Sequence, residues 1–450
     1  MNVITCTTWV RRGVSASHPE KIKLTQREIM EIVEDRKKNA EDTDDSKDDS
    51  PKDCTSNRTK DHVKRSSSSE ISAEDEYNFS KYDDESTNIN YTIGDVVSFN
   101  DKDNKPLMEQ DDEDSDDEDD IIKQDDNLVL LGHVEGDFSM LEVFVYNEKE
   151  GSFYCHHDLL LPSFPLCIEW LNFDAEDAKP GNFCAIGNMT PIIEIWDLDL
   201  IDCLEPAFKL GAKGNKKKNT KRSGHRDAVL DVVWNQNYVH ILASGSVDQT
   251  TLLWDMECLK PVTKFDSFNE KVQSLAWNPS NAHYLLTGCA DKMIRLFDCK
   301  DESMTQCIKI QGEVEKVAWN HFNTNYFLAS TNNGYIEYMD IRKNKPIWQI
   351  CGHQKEVTGL SLSSSYKDML ITTSNDGNIK VWDISTETEP ALVWQKKTNL
   401  GAIQCLASNP DNPLILAVGG DNKAHNFKVM DLSEIPEVSE IFKERNSFVK

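Results

Sequence analysis

Long apolar runs and paired cysteines are missing from this sequence of 450 residues. No segment reaches the roughly 18 consecutive apolar residues that indicate a membrane-spanning helix. Met1–Val10 lacks the basic flank and apolar core of a secretory signal. None of the twelve cysteines forms a Cys-x-x-Cys pair, and several lie in apolar, strand-like runs, namely Cys167, Cys184, Cys289 and Cys405. We therefore expect a soluble intracellular protein with buried free thiols rather than disulfides or a metal site.

Catalytic motifs are missing as well. The sequence has no phosphate-binding loop, no nucleophile elbow and no paired carboxylates in a suitable context. His156-His157-Asp158 contains metal-ligating residue types, but no further ligand follows at a suitable spacing, so a role at the surface or at a strand end is expected. These absences predict a protein that is not an enzyme and has no cofactor.

Basic residues are scarce, since the sequence has 49 lysines and arginines but 78 aspartates and glutamates, and its formal net charge is −29. Residues 41–126 hold 30 acidic and 10 basic residues, and Asp111–Asp120 has nine acidic residues in ten positions. Such a composition buries too little apolar surface to offset chain entropy, so we predict a disordered acidic insertion over residues 41–127. Asp111–Asp120 is either merely solvated or a mimic of nucleic acid that binds histones or ribosomal proteins. Four serines of the insertion are candidate phosphorylation sites: Ser66, Ser67, Ser68 and Ser69.

An internal repeat determines the expected fold. The set Gly224-His225, Asp248 and Trp254-Asp255 recurs 128 residues later as Gly352-His353, Asp376 and Trp382-Asp383. Two degenerate copies lie between these sets, so the period is about 43 residues, which is typical of one four-stranded blade that ends in Trp-Asp. The repeat therefore predicts an all-β chain folded as a WD40 β-propeller.

The tryptophans give an independent count of the blades. Trp234, Trp277 and Trp319 stand 43 and 42 residues apart at the ends of short apolar runs, and Trp9 and Trp170 end similar runs. Blades two to seven are expected to begin near residues 167, 229, 272, 314, 357 and 403, so that the ring has seven blades. In blade seven, Phe427 and Lys428 are interpreted as the residues that replace Trp-Asp.

Blade one is predicted to be split. Residues 1–12 would supply its innermost strand, Val3–Val10, and residues 128–450 would complete the propeller. Ile93–Phe99 is the alternative for this innermost strand. Residues 13–40 would form a linker and a short helix over Gln26–Lys38, because Thr25 and Glu28 have the spacing of a capping box.

Two sets of four residues are predicted to form buried hydrogen-bonded tetrads, one in each complete repeat. They are His225, Ser244, Asp248 and Trp254, and His353, Thr372, Asp376 and Trp382. One carboxylate can accept hydrogen bonds from an imidazole, a hydroxyl and an indole together. Although Ser, His and Asp also occur in hydrolases, the recurrence once per complete repeat favours a structural role. The other blades lack the set and are expected to be held by apolar packing.

The main basic cluster precedes Gly224. Six basic residues fall within ten positions: Lys213, Lys216, Lys217, Lys218, Lys221 and Arg222. A run of this kind is interpreted as a nuclear-targeting signal, as a nucleic-acid contact, or as a passive solvated loop.

Several longer strings resemble the periodic tryptophan protein 1 family of nucleolar proteins. These are Thr8–Val14, Leu141–Asn147, Ser152–Asp158, Glu169–Phe173, Gly187–Pro191 and Glu194–Asp199. The resemblance implies a nuclear and nucleolar scaffold for ribosome biogenesis, acting in large-subunit assembly and rRNA processing or production. It implies ribosome-assembly proteins, pre-ribosomal particles and rRNA as partners. A chromatin-associated regulator that binds histones is the alternative.

The acidic insertion is expected to contribute little to the stability of the propeller, because it has no apolar periodicity. Replacing residues 41–126 with a short flexible linker that still lets the first strand reach its blade should shift the melting temperature by only a few degrees. Thermal denaturation followed by circular dichroism measures this shift. Cooperative loss of the fold in the shortened chain would contradict the prediction.

Overall fold

The computed structural model describes residues 1–25, 30, 121–175, 180–212, 222–343, 345–386 and 388–445. Contacts divide the chain into two compact units, one of Met1–Ile22 with Glu113–Lys450 and one of Lys23–Asp112. The predicted helix, apart from Met30, the alternative strand Ile93–Phe99 and residues 41–120 of the predicted insertion lie outside the described residues. The propeller belongs to the first unit.

Seven antiparallel sheets form the blades, which confirms the predicted seven-bladed propeller. Blade one contains β1 (Asn2–Val10), β3 (Asn127–Glu135), β4 (Phe138–Asn147) and β5 (Ser152–Leu161). Between β1 and β3, the short strand β2 (Glu20–Lys21) pairs in parallel with β9 (Leu200–Ile201). Blade two contains β6 (Pro165–Leu171), β7 (Phe183–Asn188), β8 (Ile193–Asp197) and β10 (Phe208–Leu210).

Blades three to six have four strands each. Blade three contains β11 (Val229–Trp234), β12 (Ile241–Ser246), β13 (Thr251–Asp255) and β14 (Lys260–Phe265). Blade four contains β15 (Val272–Trp277), β16 (Tyr284–Cys289), β17 (Met293–Asp298) and β18 (Ser303–Lys309). Blade five contains β19 (Val314–Trp319), β20 (Tyr326–Thr331), β21 (Tyr335–Asp340) and β22 (Pro346–Cys351). Blade six contains β23 (Gly359–Leu362), β24 (Met369–Thr373), β25 (Asn378–Asp383) and β26 (Ala391–Lys397).

Blade seven has three described strands, β27 (Ile403–Ser408), β28 (Ile415–Gly420) and β29 (Phe427–Asp431). Helix α1 (Pro436–Phe442) and a 3₁₀ turn over Lys443–Arg445 follow β29. Val438 and Phe442 of α1 are buried in the apolar cluster between blades six and seven. Arg445 then donates two hydrogen bonds to the carboxylate of Asp383, which fastens this end of the chain to blade six.

The first strands of neighbouring blades pack side by side around the axis, and β1 lies between β6 and β27. β1, which contains Val3–Val10, is therefore the innermost strand of blade one in the structure. β1 pairs with β3 from Asn2 opposite Glu135 to Val10 opposite Leu128. Ile122, which fell within the predicted insertion, is buried in the core of blades one and two.

Three of the tryptophans that end inner strands link neighbouring blades. The indole N–H of Trp277 donates to the carbonyl of Val233 at 3.2 Å, and that of Trp319 donates to Ala276 at 3.0 Å. Trp9 makes the equivalent bond to Ala407 of blade seven at 3.1 Å. Each acceptor lies on the inner strand of the preceding blade, so the bond from Trp9 closes the ring.

An aspartate ends the third strand in six of the blades. Each accepts a hydrogen bond from the backbone N–H two residues later: Asp197, Asp255, Asp298, Asp340, Asp383 and Asp431. This aspartate turn fixes the reversal into the next strand. In blade seven, Asp431 stands opposite Ile415, as Asp383 stands opposite Met369 in blade six. The interpretation of Phe427 and Lys428 as the Trp-Asp position was therefore wrong, and Met430-Asp431 occupies that position.

Removing Met1–Arg12 is expected to open the ring, because β3 and the flanking blades would lose the strand that packs between them. Unpaired strand edges promote association between molecules. The truncated chain should aggregate or melt at least several degrees lower, as measured by size-exclusion chromatography and thermal denaturation. A monomer with an unchanged melting temperature would show that β1 does not close the propeller.

Candidate functional site

The predicted set in blade three forms a linear relay of hydrogen bonds. Trp254 donates its indole N–H to Ser244 Oγ at 2.7 Å, and Ser244 Oγ lies 2.7 Å from His225 Nε2. His225 Nδ1 lies 3.2 Å from a carboxylate oxygen of Asp248. Thr250, which the sequence analysis did not select, donates a further hydrogen bond to Asp248 at 2.6 Å. The hydroxyl therefore links the indole to the imidazole, and the carboxylate lies at the end of the relay.

Blade six repeats this arrangement with threonine as the hydroxyl residue. Trp382 donates to Thr372 Oγ1 at 3.0 Å, and Thr372 Oγ1 lies 2.8 Å from His353 Nε2. His353 Nδ1 lies 3.2 Å from Asp376 Oδ2. The structure thus brings each predicted set together, but in neither does the indole reach the carboxylate. The expected convergence of three donors on one aspartate was wrong, because the hydroxyl lies between the other two groups.

Burial and pairing decide what these sets can do chemically. The side chains of His225 and His353 are 0% exposed, and Ser244 and Thr372 are fully buried. Burial raises the pKa of Asp248, but hydrogen bonds from His225 and Thr250 outweigh it and hold that pKa well below its usual range. Each hydroxyl already has two partners and no open face. A Ser-His-Asp set of this kind stabilises a blade and offers no nucleophile to a substrate.

Other blades use polar contacts too, which corrects the expectation of apolar packing alone. In blade four, Arg295 forms a two-bond ion pair with Asp291, at 2.5 and 3.1 Å, and both side chains are nearly buried. The guanidinium also lies 5.0 Å from the ring centre of Phe268. In blade two, Trp196 donates to Glu194 Oε2 at 3.3 Å. An arginine within the otherwise apolar strand β17 was the sequence signal for the first of these contacts.

The inner strands enclose a central channel of about 400 Å³. An ion pair crosses part of it, with Lys316 Nζ 3.8 Å from Asp231 Oδ1. Gln273 donates to Glu315 at 2.8 Å, and burial together with the charge of Glu356 raises the pKa of Glu315 to about 7. The channel is therefore polar, and the carboxylates of Glu315 and Glu356 line it on the side of blades five and six.

Three thiols also line the channel: Cys6, Cys167 and Cys405. Burial raises the pKa of Cys6 to about 12 and raises those of the other two well above the usual range. A thiol with a raised pKa is a poor nucleophile, because the thiolate is the reactive form. All the cysteines of the described residues are free. Across this part of the chain, no three or more of the His, Cys, Asp and Glu side chains lie close enough to hold a metal ion.

The basic cluster interrupts the passage from β10 to β11. Arg222 is described and exposed, whereas the five lysines of the cluster, from Lys213 to Lys221, lie outside the described residues, as do Ser66–Ser69. Ala212 and Ser223 form an antiparallel bridge with N···O distances of 2.7 and 3.1 Å. This bridge fixes both ends of the loop to the edge of the propeller. No helix of the described residues is long and apolar enough to cross a membrane.

Comparisons with known proteins agree with this geometry. Residues 216–255, 259–298 and 344–383 match the family model "WD domain, G-beta repeat". The chain is 42% identical over 423 residues to the Periodic tryptophan protein 1 homolog of Drosophila melanogaster, covering 92% of this chain and 90% of that protein. It is 29% identical to Periodic tryptophan protein 1 of Saccharomyces cerevisiae, covering 98% and 90%. A chain of "Crystal Structure of Mitotic Checkpoint Complex" has a TM-score of 0.52 at 17% identity, covering 68% of this chain and 84% of that one, which shows the fold alone.

Acid should destabilise the fold through His353, because burial lowers its pKa to about 4. The unfolded-state pKa is about 6.5, so between these values only the unfolded chain takes up the proton. The contribution of neutral His353 to the free energy of unfolding is fully present above pH 6.5 and falls by about 3 kcal/mol as the pH decreases to 4. Urea unfolding should therefore show a steeper loss of stability with falling pH in the wild type than in His353→Gln. His18→Gln, at an exposed histidine, is the matched control, and equal slopes for all three proteins would contradict the prediction.

Proposed function

This chain belongs to the periodic tryptophan protein 1 family of WD40 proteins, and from that premise we propose that it is a non-catalytic scaffold of nucleolar ribosome biogenesis. The steps proposed are large-subunit assembly and rRNA processing or production. Its partners would be ribosome-assembly proteins and pre-ribosomal particles, bound by a monomeric propeller within larger complexes.

Burial of the two relays is the observation that supports a binding role most directly. His225, Ser244 and Asp248 are the residue types of a hydrolase triad, yet every polar group in them is used inside a blade. The same holds for the relay of blade six. What the propeller offers to other molecules is its outer surface, its channel and the loops between blades.

The basic loop supports contact with RNA. Its ends are fixed by the Ala212–Ser223 bridge, and the following inner strand β11 begins at Val229. In the sequence, the six basic residues lie between Ala212 and Ser223, within a propeller region, residues 128–450, that has 43 acidic and 31 basic residues. Lysines bind phosphates without reading bases, so the loop would hold RNA with little sequence preference. Nuclear targeting is the second use of the same residues, and the two uses are compatible.

The polar channel supports a second candidate function, binding of a basic segment such as a histone tail. Glu315 and Glu356 both line it, and the charge of Lys271, another lining residue, lowers the pKa of Glu315. A partly neutral Glu315 gains charge when a lysine or arginine approaches, which favours a cationic ligand. Affinity purification from nuclear extract separates the candidates: pre-ribosomal particles and rRNA support the first, and nucleosomal histones support the second.

Replacing the loop cations with glutamine tests the RNA contact. The variant changes Lys213, Lys216, Lys217, Lys218, Lys221 and Arg222, and it carries a foreign nuclear signal so that targeting is supplied. Each lost phosphate contact should reduce the slope of log affinity against log salt by about 0.7–0.9, so RNA association at low salt should fall by orders of magnitude. Binding to pre-ribosomal RNA and recovery of pre-ribosomal particles are the measurements.

A control variant removes the same amount of charge elsewhere on the propeller. It replaces six exposed lysines of other surfaces, Lys149, Lys260, Lys264, Lys300, Lys396 and Lys397. This control should retain most RNA association, because its charges are dispersed. If the loop variant with the foreign signal recovers pre-ribosomal particles as well as the wild type does, the loop serves targeting alone.

A further inference from the structure

Among the residues that the structure describes, the outer edge of blade seven is unpaired. The other six blades have a fourth strand, whereas no described strand pairs with β29 on the side away from β28. Gly420 donates to Asn426 at 2.7 Å and Leu432 donates to Leu414 at 2.8 Å, which brackets the β28–β29 ladder. Because antiparallel pairs alternate, Lys428 and Met430 direct their backbone groups to β28. The N–H and C=O groups of Phe427, Val429 and Asp431 therefore point outward from the sheet.

Natural sheets cover or interrupt such edges, because a row of unpaired backbone groups recruits another strand. β29 has no proline, and its sequence is Phe-Lys-Val-Met-Asp. After Asp431 the chain turns into α1, which packs on the core between blades six and seven and contacts β26. A helix in that position makes no ladder with β29. The edge is thus built as a strand acceptor over five residues.

An aromatic surface lies beside this edge. Phe144 and Phe153 of blade one stack with ring centres 4.9 Å apart, and Phe427 of β29 lies 6.0 Å from Phe153. We call these three rings the aromatic platform. Phe153 is 40% exposed, so part of the platform is open to solvent. A strand added to β29 would place alternate side chains over the platform.

The Asp431 end of the edge is acidic. Burial raises the pKa of Tyr146, the charges of Glu148, Asp431 and Glu434 raise it further, and the charge of Arg12 lowers it. Three carboxylates and one guanidinium therefore lie near this tyrosine. In blade three, the aspartate at the corresponding register, Asp255, faces Lys260 of the fourth strand. Blades four and six have Ser303 and Ala391 at that position, so the register alone requires no cation. The acidic surroundings of Asp431 favour a lysine or arginine in the added strand.

We propose that the outer edge of β29 binds an extended segment of a partner protein, which adds the fourth strand to blade seven. The segment runs antiparallel to β29, carries apolar or aromatic side chains at alternate positions over the aromatic platform, and has a lysine or arginine opposite Asp431. This surface is separate from the basic loop and from the channel, so it does not depend on the ribosomal role.

A peptide copied from the fourth strand of blade six is the probe. It has the sequence of residues 391–397 with the change Ala391→Lys, because Ala391 stands opposite Asp383 in that blade. Fluorescence anisotropy measures its binding to the full chain. Val429→Pro removes an outward N–H and leaves the ladder to β28 intact, and proline is tolerated at such edge positions. This variant should bind the peptide at least about tenfold more weakly, because one hydrogen bond to the peptide is lost. A tenfold change in affinity corresponds to about 1.4 kcal/mol of binding free energy.

Val429→Ala is the matched control, because it trims the side chain and keeps the N–H. It should bind within about threefold of the wild type, a change of less than about 1 kcal/mol. Hydrogen exchange on the wild-type chain keeps the test open even if Val429→Pro fails to fold. The peptide should slow exchange at Phe427, Val429 and Asp431 and leave Lys428 and Met430 unchanged, since those amides already bond to β28.

Three results would overturn the proposal. The first is no binding at a peptide concentration of about 1 mM, which would mean that the binding free energy is smaller in magnitude than about 4 kcal/mol. The second is an equal affinity of the wild type and a folded Val429→Pro variant for the peptide. Slower hydrogen exchange only at amides outside β29 when the peptide is added would have the same meaning. The third is a wild-type dimer in sedimentation that Val429→Pro converts to a monomer, because the edge would then bind a second copy of this chain.

Discussion

A hydrogen bond from an indole N–H to a backbone carbonyl of the preceding blade is the contact on which the ring depends. It recurs at Trp9, Trp277 and Trp319, always between neighbouring inner strands. The indole also buries a large apolar surface between the blades, so one side chain supplies both packing and direction. In these three the acceptor lies one blade back, whereas Trp170 and Trp234 donate their indole N–H within their own blades. The spacing of these tryptophans along the sequence therefore corresponds to the length of chain in one blade.

Most of the fold followed from this periodicity, because a repeated contact needs a repeated residue. The blade starts expected near residues 229, 272, 314 and 403 coincide with the observed strands. The register of blade seven did not follow, since Met430 replaces the tryptophan there and only pairing with β28 identifies Asp431 as its aspartate. The order of contacts within each tetrad also required coordinates. Composition names the four groups, but whether the indole reaches the hydroxyl or the carboxylate depends on distances of a few tenths of a nanometre.

Polar groups inside the blades give the propeller a rigid frame, and the surfaces available for binding lie outside that frame. The two relays and the Arg295–Asp291 pair are fully used within their sheets. Removing one member would leave a buried partner without a bond, which typically costs about 1–3 kcal/mol. The candidate binding regions are separate from these contacts: the basic cluster that follows Ala212 in the sequence, the carboxylates of the channel and the edge of β29. A scaffold with distinct surfaces on a frame that does not bend can hold several partners at fixed relative positions.

Closure of the ring by β1 has a consequence for synthesis of the protein in the cell. Trp9 and its acceptor Ala407 are 398 residues apart. At about 5–20 residues per second, Trp9 is made about 20–80 s before Ala407. During that interval β1 is an amphipathic strand with no neighbour on one side, and the partly made ring cannot close. The ring can therefore close only after Ala407 has been made, so the rate of translation sets the earliest time of closure.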